Sequence, residues 1–372
     1  MKTTTLLLGF LTTLSISSCD FFDDFSASGG DIRPIEGLRF IDEAIIDDGF
    51  EFNETLVGGL SGIDYVAEDW ILICDDSSNS RYYNATIDFD LQGFNDITIT
   101  QVTPLLNQDN QPFESGTVDP ESIRFDRYSG GFIWTSEGNI SNGINPFVRR
   151  SMNDGTFISD ITLPTRYTID TDSTTGPRQN GVFEGITRDF LGENFWVAME
   201  LPLIQDGIAP TSQEADSPIR IAFINEQTGL FEKEFAYQLD PVAREGGFEV
   251  NGVVEILSYT KNRFLVLERS FATGFDDGGN DVKIYEVSTH EATDVSTIDN
   301  LSTASFTPVT KTLLFDFNDI RDQLTGGIVD NTEGITFGPM LENGHRSLLV
   351  VADNNFSSFR PQLNQFILFE VL

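Results

Sequence analysis

The sequence predicts an all-β chain closed into a single β-propeller, and two observations carry that prediction. The first is composition. With 32 Gly, 14 Pro and 32 Phe in 372 residues, and few long Ala, Leu, Glu or Lys stretches, the chain favours many short strands joined by tight turns over helical layers. The second is an internal repeat in which a small acidic-Gly/Ser-Ile step is followed by a polar turn and then by an apolar strand ending in an acid.

Five copies occur along the chain. Leu60-Ser61-Gly62-Ile63-Asp64-Tyr65 leads into the strand Trp70 to Cys74 and the acids Asp75 and Asp76. Pro120-Glu121-Ser122-Ile123 leads into a strand ending at Glu137, and Phe183-Glu184-Gly185-Ile186-Thr187 into one ending at Glu200. The fourth and weakest copy, Val254-Glu255-Ile256-Leu257, precedes a strand ending in Glu268-Arg269. The fifth, Thr332-Glu333-Gly334-Ile335-Thr336, precedes a strand ending at Asp353. The copies recur at roughly 60 to 80 residues, where a minimal four-stranded blade needs about 40 to 45. Between Glu255 and Glu333 lie two further strand candidates, Val282 to Val287 and Lys311 to Phe317. They predict one blade without the marker, hence six blades of four-stranded antiparallel sheet. The terminal strand Gln365 to Val371 is expected to pair with a strand near Leu38 to Ile46, closing the ring so that no sheet edge stays open.

The first 18 residues read as a processing segment rather than as part of the fold. Lys2 gives a positive start, Leu6 to Leu14 an apolar stretch, and Ile16-Ser17-Ser18-Cys19 a small-residue cleavage site ending in cysteine. This is similar to a bacterial lipoprotein signal, in which cleavage before Cys19 exposes a thiol and an amine for acylation and so gives lasting membrane attachment. Residues 19–35 then form an acidic Gly/Ser/Asp-rich tether with too few apolar residues to pack, and residues 36–372 form the propeller. The expected location is the bacterial cell envelope, held at the outer membrane by lipid. Cys74, inside an apolar run, is expected to be a small core residue.

The formal charge of −37 repels phosphate backbones, which argues against nucleic acid as a partner. The same field attracts divalent cations and cationic surfaces. In a propeller the innermost strand of each blade lines the central channel, and equivalent positions in successive blades converge at one rim. The repeat therefore gathers its carboxylates around one channel mouth, where like charges are costly unless a cation, an arginine or a backbone donor compensates them.

Several stretches also carry a resemblance. Gly58 to Tyr65, Asp119-Pro120-Glu121-Ser122, Asn180 to Ile186, Leu265 to Phe271, Asn331 to Ile335 and Val351 to Phe356 occur in the order found in the bacterial phytase-like domains known for an "esterase-like activity of phytase". The chain resembles that family over roughly residues 55 to 372. The resemblance implies a β-propeller and hydrolysis of phosphoric or other esters. The calcium-dependent propeller phytases, a more distant resemblance by fold, hold their anionic substrate with bound metal and a few basic residues.

Two readings of the convergent acids stand at this point. In the first, Glu121, Glu184, Glu255, Glu333 and Asp353, helped by Glu137, Glu200 and Glu268, bind calcium, which takes several hard oxygen ligands. Glu184 and Glu333 then serve in catalysis, with a small phosphorylated or other ester held by Arg178 and Arg269, and with Arg124 and Arg188 as weaker candidates for that clamp. In the second, each Glu accepts backbone hydrogen bonds from the next blade and staples the ring. A role without catalysis, as a binding or assembly component of an outer-membrane protein complex, is the alternative function. Asn354 and Asn355 are either rim ligands or turn formers. His290 and His345 are the only histidines and both lie in polar loops, so a Ser-His-Asp triad or a histidine zinc site has little to build on. Gly58 to Gly62 precedes a strand and lacks the strand-turn-helix setting of a nucleophile elbow, and Asp276 to Asp281 reads as an acidic hairpin rather than a calcium loop.

Overall fold

Each repeat copy folds into the two inner strands of a four-stranded antiparallel sheet. The computed structural model describes residues 34–357 and 362–372; the leader, Cys19 and the tether up to residue 33 lie outside the described residues. In chain order the strands are β1 (Leu38–Ile46), a short hairpin of β2 (Glu51–Phe52) and β3 (Thr55–Leu56), and then the first blade, β4 (Leu60–Val66), β5 (Asp69–Cys74), β6 (Arg81–Asp90) and β7 (Gly93–Pro104). The second blade comprises β8 (Pro120–Asp126), β9 (Gly131–Ser136), β10 (Phe147–Ser151) and β11 (Phe157–Asp160). The third comprises β12 (Phe183–Arg188), β13 (Phe195–Met199), β14 (Pro218–Asn225) and β15 (Leu230–Gln238). The fourth comprises β16 (Glu249–Thr260), β17 (Arg263–Ala272), β18 (Asn280–Ser288) and β19 (Thr310–Asp316). The fifth is built from both ends of the chain: β20 (Asn331–Met340), β21 (Arg346–Asp353) and β22 (Asn364–Val371), with β1 as its outer strand.

The blade number is five, not six. The two strands assigned to a sixth, markerless blade are β18 and β19, the third and fourth strands of the fourth sheet, where Lys283 pairs with Asp316 and Val287 with Lys311. The long intervals between repeat copies reflect loops, such as residues 289–309, rather than a missing sheet. The ring closes as expected: β1 runs antiparallel along β22 from the Leu38–Val371 pair to the Ile46–Asn364 pair. The innermost strands contact one another in cyclic order, β4 with β8, β8 with β12, β12 with β16, β16 with β20 and β20 with β4.

The second strand of each blade explains why the repeat's apolar runs do not alternate. Trp70 to Cys74 in β5, all of β9 and β13, and Ser347 to Asp353 in β21 are buried on both faces, because each lies inside its sheet and is covered by the blades on either side. Core side chains accordingly interleave between blades. Leu60, Ile63 and Leu72 of the first blade pack with Leu349, Val351, Phe366 and Leu368 of the fifth, and Ile71, Ile73 and Tyr82 pack with Ile123, Phe132 and Trp134 of the second. Cys74 is buried in the first of these layers as a free thiol, its Sγ donating to the Gly58 carbonyl at 3.1 Å.

Candidate functional site: a carboxylate mouth on the propeller axis

The repeat turns out to be a β-bulge. In β12 the pairing jumps from Phe183–Met199 to Gly185–Ala198, leaving Glu184 unpaired. The same shift leaves Ser61 unpaired in β4, Val254 in β16 and Glu333 in β20, and in β8 it spans Glu121 and Ser122. A bulge places two residues opposite one, which bends the strand and re-aims the extra side chain. Five bulges at one level of the ring thus direct Ser61, Glu121, Glu184, Val254 and Glu333 toward a common mouth. The neighbouring strand contributes the residue that follows the partner of the pre-bulge residue: Asp75 after Cys74, Glu137 after Ser136, Glu200 after Met199, Arg269 after Glu268 and Asp353 after Ala352. Asp119, immediately before β8, adds one more carboxylate.

The residue after each bulge faces the axis, where the blades crowd. A Cβ on Gly334 would lie 3.0 Å from the Cα of Gly62, and one on Gly185 would lie 3.0 Å from the Cα of Glu255. Gly62, Ser122, Gly185 and Gly334 are small for this reason, and Glu255 is the one long side chain among the five positions. The fourth repeat copy is therefore one residue out of phase with the others: its glutamate occupies the axial position, and Val254 the bulge. Glu255 is fully buried and its carboxylate is saturated, accepting from Ser122 Oγ at 2.7 Å, Arg124 Nη2 at 2.7 Å, the Ile186 amide at 3.1 Å and its own neighbour's amide, Ile256, at 2.9 Å. Burial pushes its carboxyl up to about 7 against the pull of Arg124. Glu255 plugs the channel by stapling the second, third and fourth blades.

The carboxylates above this plug are poorly compensated. Asp119, Glu121 and Glu137 each offer an oxygen within 4.8 Å of the others, and so do Glu137, Glu184 and Glu200. Glu121 and Glu184 are 8% exposed and neither carboxylate has a hydrogen bond or ion pair within the described residues; Oδ1 of Asp75 is buried without a partner. Within the two triads, and among the described residues, the Glu137 carboxylate alone is hydrogen-bonded, accepting from the amides of Gly181 at 2.6 Å and of Val182; beside them Glu333 accepts from Asn331 and Asp353 from Asn331 and the Asn355 amide. Among the described residues the one cation in the ring is Arg269, whose Nη2 stands 3.3 Å from Glu333 and 3.9 Å from Glu200 and whose Nε is buried and unpartnered. It occupies the position that the other four blades give to an acid.

Such crowding shows in the titration of these groups. Burial and then neighbouring carboxylates raise Asp119 to about 7, with Glu137 and Asp353 adding to the effect. Burial followed by the charge of Glu200 raises Glu137 to about 8 despite its amide bonds. Burial raises Glu200 to about 7 and Asp353 to about 6, each opposed by Arg269, and in Asp353 also by the Asn355 amide and Asn331. Glu121, Glu184, Glu333 and Asp75 are held well above the ordinary carboxylate range, mainly by burial. Two ionised carboxylates at the observed spacing repel by about 3–4 kcal/mol at the effective dielectric of a protein site.

Residues 55–356 match the family described as "esterase-like activity of phytase". The chain belongs to the phytase-like family. No curated protein matches it by sequence. Among solved structures, the phytase-like chain is similar to an endo-arabinase from Bacteroides thetaiotaomicron, with 13% identity, 85% of this chain and 94% of that one covered, and a TM-score of 0.42. It is also similar to a GH43 β-1,3-galactosidase solved with galactodeoxynojirimycin, with 10% identity, coverage of 85% and 91%, and a TM-score of 0.45. At these scores neither likeness bears on the chemistry of the phytase-like mouth.

Of the residues the sequence singled out, the phytase-like mouth brings together Glu121, Glu137, Glu184, Glu200, Glu333, Asp353 and Arg269. It does not include the others, and Glu255, expected among the cation ligands, is instead held in the axial plug by Ser122, Arg124 and the Ile186 and Ile256 amides. Arg178 spends its guanidinium on the Pro202 and Gly207 carbonyls, at 3.0 and 2.8 Å. Glu268 belongs to a separate network with Tyr237, Asn251, the Asp240 amide and Lys311. Arg124 lies with Glu255 in the plug, and Arg188, at the far end of β12, grips Asp64 at 2.8 and 3.0 Å. Asn354 is a linker, accepting the Gly59 amide and donating to Asp48, while Asn355 donates its amide to Asp353. In the hairpin Asp276 to Asp281, Asp277 and Asp281 face Arg244 and Arg321. Two members were missed, Asp75 and Asp119. Asp75 follows an apolar second strand as Glu137, Glu200 and Asp353 do, so its position in the repeat was the available signal; for Asp119 the signal was only its place before the Pro120-Glu121 step.

Proposed function

We propose that the phytase-like propeller holds a divalent cation, calcium by the character of its donors, at the carboxylate mouth and hydrolyses an ester there, phosphoric esters being the favoured class. The observation that carries this reading is the pair of buried carboxylates, Glu121 and Glu184, unpartnered among the described residues and set beside Arg269, whose Nε is buried. An all-carboxylate donor set suits a hard cation, and calcium takes six to eight such oxygens where magnesium demands a tighter octahedron. A cation bound there would polarise the ester and ease ionisation of an attacking water. Arg269 is placed to take the negative oxygens of the ester, and its unpartnered Nε is the donor left for them. Glu333, fixed by Asn331 at 2.9 Å and facing Arg269, would receive one proton of the attacking water, whose oxygen bonds to phosphorus as the phosphorus–oxygen bond to the leaving alkoxide breaks, and the alkoxide takes its proton from solvent to leave as the alcohol. Arg178 has no part in this scheme.

Phosphatase and esterase assays with and without calcium test the reading. Calcium-dependent turnover of a phosphomonoester that falls at least 100-fold in Glu184→Gln and in Arg269→Ala supports it. A folded protein that turns over neither phosphoric nor carboxylic esters, and that co-purifies with an outer-membrane protein, would assign it the non-catalytic binding role instead. The same proposal includes anchorage in the bacterial envelope through lipid on Cys19, supported by the leader's charge, apolar stretch and cleavage pattern. Cys19→Ala should move the protein from the membrane to the soluble fraction; an unchanged distribution would refute the anchor.

A further inference from the structure

The mouth holds more acid than one cation can compensate, and the surplus is organised. Asp119, Glu121 and Glu137 form one triad of mutually close oxygens, Glu137, Glu184 and Glu200 a second, and Glu137 alone belongs to both. Glu137 is also the member fixed from outside, by the Gly181 and Val182 amides of the segment leading into β12. Each triad contains one carboxylate, Glu121 or Glu184, that is nine-tenths buried and has no protein partner among the described residues. A single cation in the first triad would leave Glu184 and Glu200 facing each other, since Arg269 stands nearer to Glu333 than to Glu200. Other buried acids of the described chain are given cations: Asp206 and Glu234 close on Arg220, and Glu268 on Lys311.

We propose that the mouth is a two-cation site, with one divalent ion in each triad and Glu137 bridging them. The proposal rests on the cation-dependent reading above and adds to it the number and position of the ions. It also gives the mouth a direction. Both ions sit over the second and third blades, whereas the fourth presents Val254 and Arg269 in place of the two acids, so the open coordination faces an anionic group seated on Arg269.

Calcium titration of the full chain in detergent, stripped of metal beforehand and followed by calorimetry and native mass spectrometry, tests this. Two calcium ions should bind. Asp119→Asn and Glu200→Gln should each leave one, and Glu137→Gln should weaken both by 10-fold or more. Because these acids repel one another, each variant should unfold at a metal-free temperature equal to or above that of the unaltered protein, so lost binding is separable from lost folding. One ion in the unaltered protein, or both single variants abolishing the same ion, overturns the proposal while leaving a one-cation hydrolase intact. Two ions without any ester turnover leave it standing and overturn the hydrolase reading instead, and no binding at all overturns both.

Discussion

At the scale of single residues the site divides by whether a carboxylate has been given partners. Glu255 has four hydrogen bonds, one of them from Arg124, whereas Glu121 and Glu184 have none among the described residues. Substitutions at the two kinds of position should therefore move stability in opposite directions. Glu255→Gln leaves Arg124 buried without its counter-charge and is expected to cost about 3–5 kcal/mol in denaturant unfolding. Glu184→Gln removes a repulsive charge and is expected to stabilise the metal-free protein while lowering cation affinity and turnover. Equal destabilisation in both would mean that Glu184 is a staple like Glu255. The sequence placed Glu255 in the wrong group because Val254-Glu255-Ile256 has the composition of the repeat without its phase; one residue decides whether a side chain meets the mouth or the axis, and composition is blind to that.

At the scale of the element, the bulge is what converts a strand end into a ligand position. It requires the next residue to be small where blades meet, so Gly334→Ala is expected to cost about 1–3 kcal/mol by forcing the fifth blade away from Gly62, with a matching loss of cation affinity as Glu333 shifts. An unchanged midpoint would show that the axial contact yields freely. The repeat, its acid-terminated second strands and the β1–β22 closure were legible because each leaves a periodic apolar or acidic trace. The blade number was not. Strands β18 and β19 carry no marker, and an outer pair of one sheet cannot be told from an inner pair of another by apolar content alone. Arg178 was likewise illegible: nearness to a repeat copy in sequence does not say that backbone carbonyls of residues 202 and 207 will take up its guanidinium.

At the scale of the whole molecule, the chain keeps a large unneutralised acidic site at the mouth of a ring closed by its own two ends. Carboxyls raised to between about 6 and 8 stay protonated in the folded state at pH values where the unfolded chain has ionised them, near 4. Their contribution is thus fully present below about pH 4 and is lost as pH rises through about 6 to 8. Metal-free protein should show a melting temperature that falls between about pH 5 and 8, and saturating calcium should remove most of that fall by binding the ionised form. A pH-independent metal-free melting temperature would contradict the crowding inferred for the mouth. Ring closure makes a separate prediction: deleting residues 1–46 removes β1, exposes the edge of β22, and is expected to yield aggregates on gel filtration.

The most direct test of the central claim is an anomalous difference map from crystals of the phytase-like propeller soaked with a lanthanide as a calcium substitute. Density at the channel mouth within the triad of Asp119, Glu121 and Glu137 or that of Glu137, Glu184 and Glu200 is the predicted result. A well-ordered mouth with these side chains in place and no density among them would contradict the claim that the repeat builds a cation site.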